Sequence, residues 1–112
     1  MTSILGDGPP YSPEVSAAIV WAYTHRRERG GPPGVTPDWV LERWGDDFGS
    51  RVLAIIERLQ KQADDVEVRI DWATTTLADG QRLVQHHLVD TNPGLSEHAA
   101  NLIARWLSFQ VR

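Results

Sequence analysis

The 112-residue chain has no cysteine, which excludes a disulfide framework and any thiolate metal site. Its one lysine, Lys61, stands among 11 basic residues, the rest being arginine. No segment approaches the ~20 consecutive apolar residues that a membrane span requires. The opening MTSILGDGPP has neither a basic start nor an apolar run, which argues against a secretory signal and for a cytoplasmic protein. Positive charge is also scarce. The formal net charge is −4, shared evenly by the two halves, which disfavours a nucleic-acid partner, since such affinity rests on neutralising phosphates. Repeats, low-complexity tracts and the GxSxG and HExxH signatures are missing too. No cofactor and no catalytic residue is therefore assigned, and an enzyme is not the expected class.

What the chain has in quantity is tryptophan: Trp21, Trp39, Trp44, Trp72 and Trp106. A core this small cannot take in five indoles without finding partners for their N–H groups. Tryptophan also favours protein interfaces. The apolar fraction of 41% and charged fraction of 23% are ordinary for one globular domain. Residues 1–11, rich in Gly and Pro, read as a flexible leader, and residues 12–112 as a single domain.

Helix signals recur along that domain. Ser12-Pro13-Glu14 starts a first helix as N-cap, first-turn proline and acid, and the helix is expected to run to Arg29. Val15, Ala18, Ile19, Ala22 and Tyr23 form its apolar stripe, with Val20 and Trp21 off it. His25, Arg26, Arg27 and Arg29 suit the negative end of its dipole, or an acidic partner. The loop Gly30 to Gly34 has the composition of a phosphate cradle but lacks the required pattern. Thr36-Pro37-Asp38 starts a short helix that Gly45 closes. A third helix, capped by Asp47 or Ser50, carries Phe48, Val52, Ile55, Ile56, Leu59 and Ala63 on one face and ends at Asp64-Asp65. Ser96 caps a last helix with the stripe Ala99, Leu102, Ile103, Trp106 and Leu107.

Between the third and last helices, Val66 to Val89 reads as a β-hairpin. Val66, Val68, Ile70 and Trp72 alternate with Glu67, Arg69 and Asp71, as on a half-buried strand. Asp79-Gly80 is a strong hairpin-turn signal. It fixes a register in which Thr76 faces Leu83, Trp72 faces His87 and Ile70 faces Val89. The expected fold is thus α+β: three N-terminal helices, a two-stranded antiparallel hairpin and a C-terminal helix packed as one domain.

Three constellations bear on function. Pro37 to Gln62 followed by a hairpin has the layout of a winged-helix DNA binder, but Asp46 and Asp47 would head its recognition helix and repel phosphates. His87, Asp90 and His98 are a conceivable metal set, but satisfied or solvent-facing histidines account for them far better, and no metal site is assigned. The acidic pairs Asp46-Asp47 and Asp64-Asp65 are explained by capping and solvation. The leading expectation is a small protein-binding module: an inhibitor, an immunity-type protein or an accessory subunit. The surfaces assigned to the partner are Trp21 and Trp39, Arg26 and Arg27, and the charged hairpin face with Glu67, Arg69 and Asp71. Another protein is the expected partner, and a homodimer is also compatible. The rivals are the winged-helix DNA binder and a small enzyme whose site forms between two subunits.

Overall fold

The computed structural model describes residues 11–28 and 34–110, with the side chains of 26–28 and 108–110 left aside. The described chain forms five helices: α1 (Pro13–Glu28), α2 (Pro37–Trp44), α3 (Asp46–Glu67), α4 (Leu77–Thr91) and α5 (Glu97–Gln110). Among the described residues there is no strand. The expected α+β fold with its two-stranded hairpin is therefore corrected to an all-helical one. Helices α1, α2 and α5 lie where their signals placed them; α3 starts at Asp46 with Gly45, not Asp47 or Ser50, at its N-cap and runs past Asp64-Asp65, and the hairpin is replaced by the end of α3, a loop and α4.

The physical reason lies in two overlapping periods. The alternation of Val66, Val68, Ile70 and Trp72 covers only seven residues. A helical spacing runs through the same stretch: Val52, Ile56, Leu59, Ala63, Val66 and Ile70 step by four and three. The first four of these are buried and the last two half-buried, whereas Val68 is 69% exposed. Asp64-Asp65 offers no steric stop, so α3 continues through it to Glu67. Beyond it, Arg69 N–H and Ile70 N–H bond the carbonyls of Val66 and Glu67, turning the chain without a strand partner.

The second half of the supposed hairpin is a capped helix. Thr76 is the N-cap of α4, and its Oγ1 accepts from Asp79 N–H at 3.1 Å. Asp79 and Gly80 thus occupy the first turn of a helix. Val84 and Leu88 then face the core at a four-residue step. A helix satisfies its backbone locally, while an isolated two-stranded ribbon is marginal in water. That difference decides the contest.

The core joins all five helices. Ile19, Val40, Val52, Leu59, Leu88 and Ile103 are its largest fully buried side chains. Tyr11, at the end of the expected leader, is buried in it, and its hydroxyl accepts from Arg58 Nη2 at 2.6 Å. Residues 1–10, the rest of that leader, lie outside the described residues, as do residues 29–33 of the glycine-rich loop.

The α1 stripe read from the sequence is buried throughout, and α1 packs mainly on α5. Ser16 on α1 ties the two, accepting from Ser96 N–H at 3.1 Å. One residue, Gly45, links α2 to α3 with φ 86°, a conformation that glycine adopts without strain. Gly49 then lets the helices touch: a Cβ there would lie 3.2 Å from Leu41 Cα and from the Val40 carbonyl oxygen.

Candidate functional site

Two regions, at opposite ends of α3, gather the residues to which the sequence points. The first is an aromatic cluster where α1 meets α2 and the start of α3. His25 stacks on Trp21, ring centroids 4.4 Å apart, and stands edge-on to Trp39 at 5.2 Å. Trp44 meets Trp21 edge-on at 6.4 Å and Phe48 at 5.7 Å. Arg43 and Arg51 lie over Trp44 and Phe48 respectively. The five rings are half-buried, so they bind the three helices to one another as much as they face water. Trp44 Nε1 is buried here with no hydrogen-bond partner.

Trp21 and Trp39 are thus brought together by His25. The backbone of Arg26 and Arg27 lies in the closing turns of α1, and their side chains fall outside the described residues. The α2–α3 pair occupies the place of the proposed helix-turn-helix. Its single-residue link is shorter than the usual three- or four-residue turn, and no wing follows among the described residues.

The second region is built by the loop after α3 and the opening of α4. Asp71 folds the loop: its Oδ1 accepts from Ala73 N–H at 3.1 Å and its carbonyl from Thr74 N–H at 3.1 Å. This turn lays the Trp72 indole back on α4. Trp72 Nε1 donates to the Glu67 carbonyl at 3.2 Å, and the ring covers Gly80 so closely that a Cβ there would collide with Cη2 and Cζ3. Only glycine leaves room for the ring. Beneath it lies a cavity of about 20 Å³, lined by Leu77, Val84, Ala104 and Leu107 among others, scarcely more than a water occupies.

The outside of this region is apolar. The large hydrophobic side chains exposed among the described residues are Val68 (69%), Leu83 (52%), Leu77 (44%) and Trp72 (37%). Leu77, Gly80 and Leu83 follow at three-residue steps on α4, so Trp72, seated on Gly80, lies between the two leucines. Val68 opens the loop beside α3.

Glu67 closes α3, half-buried, and Arg69 sits exposed in the turn that follows. Glu67 shares a cavity lining with Trp72 and Leu77, Arg69 follows it by two residues, and neither lies in the cluster of Trp21 and Trp39. From Phe48 to Glu67 is nineteen residues of α3, about 28 Å at the helical rise. Sequence reasoning missed Leu77, Leu83 and the outward role of Val68, because the hairpin set Leu83 opposite Thr76, put Val68 on its covered apolar face and left Leu77 beside the turn. The helical step from Leu77 through Val84 to Leu88 was the signal that would have exposed Leu83.

Among the described residues no three His, Asp or Glu side chains converge to hold a metal, so His87, Asp90 and His98 stay apart. His86 and His87 are exposed on α4, where His87 Nε2 lies 3.4 Å from Thr91 Oγ1. Among the described residues no helix is long and apolar enough to cross a membrane. Compared with protein-family models, with curated proteins and with solved structures, the chain matches none of them.

Proposed function

We propose that the protein is a small protein-binding module that docks a partner on the apolar surface of Leu77, Trp72 and Leu83. The observation that carries this reading is the gathering of exposed large hydrophobics within residues 68–83, around a tryptophan held rigid by its own loop. A pre-ordered tryptophan flanked by leucines loses little side-chain entropy on binding, which is the economy of an interface hot spot. An inhibitor and an accessory subunit both act through occupancy of this kind. The aromatic cluster of Trp21, His25 and Trp39 serves chiefly to join α1 to α2. The cytoplasm is the proposed compartment, which suits a chain without cysteine.

The test compares tagged wild type with Leu83→Glu in pull-downs from the source organism after nuclease treatment, followed by mass spectrometry. Leu83 is half exposed, so the variant is expected to keep the wild-type helical circular dichroism and melting temperature. One stoichiometric protein with wild type, lost with Leu83→Glu, is the expected result. Retention by Leu83→Glu together with loss in Trp39→Ser would move the docking face to the aromatic cluster. Recovery abolished by nuclease would favour DNA binding through α2 and α3.

A further inference from the structure

The apolar surface at the α3–α4 end is set in one of the two acidic stretches of the chain, the other being residues 38–47, and the charge around it specifies what fits there. Between residues 64 and 82 the chain carries Asp64, Asp65, Glu67, Asp71 and Asp79 against Arg69 and Arg82, a net −3 out of the −4 of the whole chain. Of the five carboxylates all but the half-buried Glu67 are on exposed residues. Lys61, one turn earlier on α3, is the nearest cation along the chain before them. One of the two arginines is already engaged: Arg82 Nη1 donates to Asp79 Oδ1 at 2.9 Å. No basic residue closes the last turn of α3, so the carbonyl end of that 22-residue helix adds to the negative field, while Asp79 covers the opening turn of α4.

We infer that this surface receives a cationic amphipathic segment of a partner protein, its apolar side chains on Trp72, Leu77 and Leu83 and its Lys or Arg residues against Asp64, Asp65 and Asp71. The inference rests on the protein-binding reading above and adds the partner's chemistry. Charge decides against the other occupants. A second copy of this chain would bring its own five carboxylates to the same contact. Nucleic acid and anionic lipid would set phosphates against them. A cationic protein gains twice, in long-range attraction that raises its encounter rate and in burial of the apolar surface.

The experiment uses the full chain and a synthetic helical peptide of alternating Leu and Lys blocks as probe. A peptide with Glu at each Lys position and vesicles of anionic phospholipid are run beside it, and self-association is followed by sedimentation. The Lys peptide is expected to bind, and to weaken about tenfold or more between low salt and ~0.5 M salt, where screening is short-ranged. Leu83→Glu should abolish binding. The triple variant Asp64→Asn, Asp65→Asn, Asp71→Asn should weaken it about tenfold, with helicity unchanged. Equal binding of the Glu peptide, binding of the vesicles in preference to the Lys peptide, or a dimer that Leu83→Glu dissolves would each overturn the inference. The two readings fail separately in pull-downs of the native partner. If Leu83→Glu loses that partner while the triple variant keeps full affinity, the cationic partner is refuted and the docking face stands. If Leu83→Glu keeps it, the docking face itself is refuted.

Discussion

Replacing Gly80 with alanine tests the seat of Trp72 and the helical reading of this segment together. In an ordinary helix the change stabilises by about 1 kcal/mol, because glycine is the poorer helix former. Here the new methyl would occupy the space of the Trp72 ring, which would have to swing away. Trp72 is 37% exposed, so roughly 150 Å² of a tryptophan is covered in the fold. At ~25 cal/mol per Å² that burial is worth at most about 4 kcal/mol, and less against a realistic unfolded chain. Losing half of it costs about 2 kcal/mol, and with the propensity gain Gly80→Ala should destabilise by about 1 kcal/mol. In a Trp72→Ala background nothing opposes the methyl, and the same substitution should stabilise by about 1 kcal/mol. The sign reversal, a coupling of about 2 kcal/mol, is read from urea denaturation followed at 222 nm, since one background lacks a fluorophore. Additive effects of the two substitutions would refute the contact. A loss of stability on Gly80→Ala in both backgrounds would refute the helix, because a hairpin turn needs a positive φ at that position whatever Trp72 does.

Gly49→Ala places its methyl against backbone of α2. The overpacking cost of ~1–3 kcal/mol should exceed the helix-propensity gain, leaving a loss of about 1 kcal/mol and a melting temperature lower by about 4–8 °C. An unchanged or raised melting temperature would mean that α2 does not press on α3 there. Burial pushes the Tyr23 hydroxyl well above the ordinary tyrosine range, and the hydrogen bond it accepts from Gln60 Nε2 at 2.7 Å only partly offsets this. The fold therefore holds that proton more tightly than the unfolded chain does. The stabilisation is complete below the ordinary tyrosine value of ~10 and is lost as pH rises above it. Urea midpoints should fall from pH 9 to pH 11 for wild type and fall less for Tyr23→Phe; parallel slopes would refute the assignment.

The helical content was legible wherever a cap and a stripe coincided. Ser12 bonds Val15 N–H and Ser96 bonds Ala99 N–H as N-caps do, and the stripe of α1 is buried residue for residue. The segment 66–89 was misread because two short signals, a seven-residue alternation and an Asp-Gly pair, are local. The helical step that competes with them shows only when Val52 to Ile70 is followed across the apparent end of α3. Thr76 with Asp79 three residues on was also a cap in plain view, hidden by the glycine beside it. With Gly80 in a hairpin turn, Leu83 pairs with Thr76 and is not seen as surface. Charge was misjudged for a similar reason: counted by halves it is even, which hides the local excess of acid between Asp64 and Asp79. The aromatic cluster was half visible. Trp21 and Trp39 stood out, and the four-residue step from Trp21 to His25 on α1 pairs those two rings, but nothing in the spacing indicated that Trp39 would meet them.

The pairing of α1 with α5 sets the order in which the chain can find its fold. The serine bridge from Ser16 spans 80 residues of sequence, and the face of α1 rests mainly on α5. On a chain synthesised from its N-terminus at ~5–20 residues per second, the 69 residues from Glu28 to Glu97 take roughly 3–14 s to add. For that interval Val15, Ile19 and Tyr23 lack their main cover, and α2 and α3 give α1 only its minor contacts. Nascent α1 thus keeps an apolar face open, the kind of surface a chaperone covers, until α5 arrives to close it.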